Sequence, residues 1–141
     1  MKKTTMRILP LLFSLLLFLF SSCKATPDTD LLWEKAVYTE NTSLGSGSTS
    51  FALEVKAGEK SVTFSVNTDR EMLGEALSEI GLIEGEEGEF GLYIKVVNGI
   101  KADYDTDQSY WALCENGEML MTSADLTPIQ NGAHFELVYT K

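Results

Sequence analysis

Much of what enzymatic or nucleic-acid chemistry requires is scarce in this chain. It has two cysteines, Cys23 and Cys114, in 141 residues, and one histidine, His134. Two thiols cannot build a disulfide framework. One imidazole and no neighbouring second thiol give poor support for a zinc site, so no metal ligands are assigned from the sequence. A Ser or Cys nucleophile needs a base within hydrogen-bond reach, and His134 is the sole imidazole, so no catalytic residue is assigned and the chain is read as a non-enzyme. No Gly-rich phosphate-cradling motif and no internal repeat occurs. Basic residues are also few, 11 against 21 acids, for a net charge of −10. Such a surface repels nucleic acid and anionic headgroups, which excludes DNA or RNA as a partner.

The chain begins with an export pattern. Lys2, Lys3 and Arg7 precede the apolar run Ile8 to Phe20. That run is shorter than the roughly 20 residues a permanent membrane helix needs, so residues 1–22 read as a signal peptide. Leu19-Phe20-Ser21-Ser22-Cys23 resembles a bacterial lipobox, with Phe20 departing from the usual Leu. The resemblance implies diacylation of Cys23 and a lipid anchor on the extracytoplasmic face of a cell membrane. Two acyl chains anchor stably where one is marginal. Loss of Lys2, Lys3 and Arg7 with the signal leaves 8 basic against 21 acidic residues, a net of −13. Cys114 then has no intramolecular partner, and its place beside Trp111 in an apparent strand suits a small buried hydrophobe.

Residues 23–49 read as the lipidated Cys and a tether, within which Leu31 to Tyr38 is apolar enough to be an edge strand or a docking segment. Glu40 to Ser50 has the Ser, Thr and Gly content of a loop. Residues 50–141 form the domain. Phe51, Leu53 and Val55 alternate with Ala52, Glu54 and Lys56; Val62, Phe64 and Val66 repeat the pattern after Ala57-Gly58-Glu59. This is a hairpin of two half-buried strands. Thr68 with Glu71 fits a capping box. Met72, Leu73, Ala76, Leu77 and Ile80 then recur at helical spacing, up to a C-terminal cap at Gly81. Glu84 to Glu89 reads as a solvated acidic loop. Gly91 to Val97 reads as a strand with Leu92, Ile94 and Val96 inward, and Asn98-Gly99 as a turn. Tyr110 to Glu115 and Glu118 to Met121 pair around Asn116-Gly117, a dipeptide that tolerates positive φ at both residues. His134 to Thr140 closes the chain with Phe135, Leu137 and Tyr139 on one face and His134 at the outward-facing start. One amphipathic helix must cover one face of a mostly antiparallel sheet, an α+β, β-grasp-like arrangement.

Two features bear on binding. Asp103, Asp105 and Asp107 alternate like the opening of a calcium loop. An EF-hand would need Gly at 108 and a bidentate Glu at 114, where the chain has Gln108 and Cys114, so a solvated polar loop is the better reading. Tyr104, Tyr110 and Trp111 cluster at a loop–strand junction. Tyr110 and Trp111 must point to opposite faces of a strand. Either both rings are structural, or the outward one joins Tyr104 in offering a flat apolar surface to a planar ligand.

The order of hairpin, Met72–Leu77 helix, polar loop, Tyr110-Trp111, Asn116-Gly117 turn, Asp125-x-x-Pro128 and closing strand resembles the transcobalamin-like C-terminal domain, over roughly Ser50 to Lys141. In that family the animal proteins hold cobalamin between this domain and a helical barrel. Carried over by position, the resemblance implies a ligand site at Tyr104, Asp107, Gln108, Tyr110, Trp111, Leu113, Glu115 and Asn116. Cobalamin or a related corrinoid is the implied ligand, with no cofactor required. The chain has no room for the barrel, so either binding is weak, or a transporter or second surface protein completes the site, or this lineage binds something else. The alternative function is a surface protein-interaction or adhesion module without a small-molecule ligand, since open sheet edges invite strand addition.

Overall fold

The computed structural model describes residues 28–141. The expected signal peptide over residues 1–22, Cys23 and the start of the expected tether lie outside the described residues. Two sheets and a few short helices form a mixed α/β unit made mostly of strands.

In chain order these are α1 (Thr29–Trp33), β1 (Thr42–Gly45), β2 (Thr49–Ala57), β3 (Lys60–Thr68), α2 (Leu73–Glu79), β4 (Ile83–Gly88), β5 (Gly91–Val97), β6 (Ile100–Lys101), α3 (Tyr104–Asp107), β7 (Tyr110–Glu115), β8 (Glu118–Met119), a 3-10 turn (Ala124–Leu126) and β9 (His134–Thr140). The larger sheet has six strands in the order β1-β3-β2-β9-β7-β8, and the smaller runs β4-β5-β6. The large sheet is mostly antiparallel but mixed: β1 lies parallel to β3, and β9 parallel to β2.

The alternating hairpin forms as its pattern demands. β2 and β3 pair from Thr49↔Thr68 to Ala57↔Lys60. Phe51, Leu53, Val55, Val62, Phe64 and Val66 are buried on one face. Phe135 and Leu137 of β9 stand opposite Leu53 and Val55, and Trp111 and Leu113 of β7 stand opposite Tyr139 and Leu137. Leu73, Ala76 and Leu77 of α2 close the inner face. Full burial of each leucine stabilises the fold by about 1.5–3 kcal/mol. Ile94, Val97 and Ile100 of the small sheet belong to the same core.

Several elements differ from the sequence expectation. The helix is only Leu73–Glu79, and the capping box is not made. Thr68 stays in β3, buried, and its hydroxyl accepts from the Arg70 N–H at 2.9 Å. The first free N–H of the helix, on Leu73, donates instead to the Thr127 carbonyl at 2.9 Å. A tertiary partner thus replaces the local cap. Gly81 does adopt a positive φ of 70°.

Residues 84–88 are not a loop but most of β4. Their acidic side chains face solvent while the backbone pairs with β5 through a bulge at Glu84/Gly85. A Cβ at Gly85 would run into the Tyr93 carbonyl, so glycine permits the close approach. That bulge accompanies burial of Val97 rather than Val96. The stretch of alternating aspartates 103–107, read as a polar loop, holds α3. Residues 42–45, read as loop, form edge strand β1 because β3 offers them a free edge.

Leu31 to Tyr38 is not a strand. It is the end of α1, a turn at residues 34–35 and an irregular run that docks on the sheet. The buried Trp33 indole donates from Nε1 to the Ala57 carbonyl at 2.8 Å, and the Tyr38 ring meets Phe64 edge-on at 5.5 Å.

Candidate functional site

The turn before β7 is built by its own aspartates. Asp103 caps α3, accepting from the Thr106 N–H at 3.3 Å. The fully buried Ser109 hydroxyl accepts from the Asp103 N–H at 2.8 Å and donates to Asp107. Hydrogen bonds from Thr106 hold the Asp103 carboxyl below its ordinary range, and those from Ser109 do the same for Asp107. Lys101 lies 3.7 Å from Asp103, and Lys141 lies 3.7 Å from Asp107. Asp103 therefore caps a short helix, which is what an Asp at an N-cap does, and Asp107 braces the turn after it through Ser109.

This turn presents Tyr104 beside Tyr110, with ring centroids 6.5 Å apart and planes at 61°. Tyr93 of β5 completes the group. The three rings border an open depression of about 670 Å³, with Glu86, Lys95, Asp103 and Asp105 around it. Lys95 and Glu86 pair at 3.2 Å. The depression thus combines phenol rings, one cation and several acids. Tyr93 and Tyr104 are 43% and 55% exposed, so their ring faces are free to meet a ligand.

The eight residues singled out from the sequence do not converge on one site. Tyr104 and Tyr110 meet in the depression. Trp111 does point to the opposite face from Tyr110. It is buried, stacks edge-on with Tyr139 at 5.6 Å, and donates from Nε1 to the Ile100 carbonyl at 3.2 Å. Leu113 is buried beside it. Asp107 is turned to Ser109 and Lys141, and Gln108 is the left-handed cap of α3 at φ 61°. Glu115 borders a separate groove with Leu120, Leu126 and Pro128, and Asn116 forms the β7–β8 turn at φ 50°. Tyr93, Lys95 and Glu86 were missed. The one signal for Tyr93 was its outward place between Leu92 and Ile94.

Residues 71–141 match the family model described as a domain of unknown function, DUF4430. The chain belongs to the DUF4430 family. Among solved structures it is similar to a crystal structure described as that of a "putative metal binding protein" from Ruminococcus gnavus ATCC 29149. That likeness has 37% identity and a TM-score of 0.63, over 67% of this chain and 98% of the other. It is also similar to haptocorrin in complex with Cbi, at 24% identity and a TM-score of 0.51, over 70% of this chain and 26% of haptocorrin. The haptocorrin likeness is one of fold, and it spans about a quarter of that protein's length. No curated protein matches the sequence. In this DUF4430 chain the matched segment carries α3, the Tyr104–Tyr110 pair and the whole of β7 and β9, while Trp33 and the β2–β3 hairpin lie before it.

Proposed function

We propose that this DUF4430 chain is an extracytoplasmic binding module, lipid-anchored through Cys23, that holds a planar ligand of the corrinoid class against Tyr93, Tyr104 and Tyr110. The observation that carries the reading is the convergence of those three rings, from β5, α3 and β7, on one depression. Aromatic faces suit a flat macrocycle edge, and Lys95 with the nearby acids suits amide groups at its rim. The fold shared with part of haptocorrin, a protein solved with Cbi, supports the ligand class. The order β3-β2-β9-β7 with a parallel central pair supports a β-grasp-like description of the sheet.

The depression is open, so it offers one wall. A transporter or second surface protein supplies the other in this reading, and the ligand passes between them. The function is binding rather than catalysis.

Calorimetric titration of the protein with cobalamin and with cobinamide tests the proposal. Saturable heat lost in Tyr104→Ala is the expected result. No heat with ligand near 1 mM, which corresponds to roughly 4 kcal/mol of binding, rules out a stand-alone site.

One observation favours a second reading, a protein-interaction surface. Phe90, Met121 and Leu126 are 84%, 95% and 61% exposed. Each lies within two residues of one contact, where Gly91 lies against Ser123 and Asp125. Grouped exposed apolar side chains mark interaction sites. Loss of partner binding on changing these three to serine, with corrinoid binding absent, supports that reading instead.

A further inference from the structure

The face of the six-stranded sheet turned away from the core carries a second constellation, and none of its members borders the tyrosine depression. Glu54 of β2 and Glu136 of β9 are direct partners in the parallel register. His134 lies two residues before Glu136, on the same face. One donor atom from each of the three lies within 4.8 Å of the others.

Like charges placed directly opposite on a sheet are destabilising. The pair here is not diluted by solvent: the Glu136 side chain is nine-tenths buried, and that of Glu54 is 22% exposed. One Glu136 oxygen is fixed by the Gly117 N–H at 3.2 Å, so the β7–β8 turn aims the other at His134. Lys56 stands 3.6 Å from Glu54 and offsets part of the charge on that side only.

His134 Nε2 lies 3.4 Å from Glu136 Oε1 and 3.7 Å from Glu54 Oε2. Both exceed the roughly 2.7–3.2 Å of an N–H···O hydrogen bond. The shorter equals the spacing of two ligands on one tetrahedral ion, and the longer is a few tenths of an ångström wider. With bonds of about 2.0–2.1 Å, such an ion keeps its ligand atoms about 3.4 Å apart.

We propose that Glu54, His134 and Glu136 form a three-ligand site for a divalent first-row transition ion, with Zn²⁺ the representative case. An imidazole with two carboxylates suits such ions better than Mg²⁺ or Ca²⁺, which take oxygen ligands alone. Three protein ligands leave a fourth position open to solvent, or to a group brought by a partner. The site is independent of the corrinoid reading and stands whether or not that reading holds.

The test is titration of the protein with ZnCl₂ in the presence of excess Mg²⁺, followed by calorimetry and by thermal unfolding. The expected result is one Zn²⁺ per chain. His134→Ala should weaken it by more than about tenfold, the scale lost even on removing outer partners of a metal site. Because the His134 side chain is 39% exposed and lies outside the apolar core, the variant should keep its metal-free unfolding midpoint and lose only the rise that Zn²⁺ confers. Glu136→Gln should weaken binding likewise, and Glu79→Gln, on a distant ion pair, should leave it unchanged. Absence of saturable binding overturns the site. So does equal affinity in His134→Ala, or displacement of Zn²⁺ by Mg²⁺, either of which means diffuse attraction to an acidic surface.

Discussion

Asn98 grips the backbone of Tyr38 with both ends of its amide. Its Oδ1 accepts from the Tyr38 N–H at 2.9 Å and its Nδ2 donates to the Tyr38 carbonyl at 2.9 Å. The Asn98 carbonyl also accepts from the Val37 N–H at 3.0 Å. The same residue makes the β5–β6 turn at φ 51° and is almost fully buried. One asparagine thus turns the chain and ties the N-terminal segment to the small sheet.

Replacing Asn98 by Gly keeps the turn and removes the clamp. Leaving the Tyr38 groups without their partners should cost about 1–3 kcal/mol in urea unfolding. Asn98→Ala should cost about 1–2 kcal/mol more, because Ala resists the left-handed conformation. Equal loss in the two variants would mean that backbone strain is irrelevant at this turn.

Trp33 is the other anchor of that segment. Trp33→Ala should destabilise the fold by about 3–5 kcal/mol, the usual cost of emptying a buried aromatic position. Trp33→Phe keeps most of the ring but gives up the Nε1 bond to Ala57, a loss of about 1 kcal/mol. Chemical denaturation of both variants would show whether residues 28–41 fold as part of the domain or merely rest on it.

Asp125 links the 3-10 turn to β5. Its carboxylate accepts from the Ser123 hydroxyl and from the Leu92 N–H at 3.0 Å, and these hold its pKa below the ordinary value. The unfolded chain, with a value of about 3.9, therefore takes up this proton first as pH falls. The stabilisation is complete above about pH 4 and is lost as pH drops through the lower folded value. Unfolding midpoints measured across acid pH should fall more steeply in the wild type than in Asp125→Asn.

Gly74 in α2 faces that same turn. A Cβ there would come within 2.8 Å of the Asp125 backbone nitrogen. Gly74→Ala should destabilise by about 1–3 kcal/mol, despite the better helix propensity of alanine, because α2 must move off the 3-10 turn. A gain in thermal midpoint would show that the contact relaxes without penalty.

The sequence by itself determined the elements whose causes are local. Alternating Phe51-Leu53-Val55 and Val62-Phe64-Val66, the Asn98-Gly99 and Asn116-Gly117 turns, and the alternation of β9 need only the two-residue period of a strand and the few residues that accept positive φ. The Leu73–Leu77 stripe marked the helix, and the outward start of β9 placed His134 on the solvent side. What tertiary structure decided came from partners distant in the chain. Thr68 was kept in β3 by Thr49 instead of capping α2, and acidic residues 84–88 became a strand because β5 supplied their backbone bonds. Trp111 was taken into the core, and the rings that gather around the depression are Tyr93, Tyr104 and Tyr110. Glu54 met His134 and Glu136 only because β2 and β9 pair in parallel. Side-chain periodicity is written residue by residue. Which strand lies beside which is set by burying all the apolar faces at once, and functional groups brought together by that pairing leave no local trace.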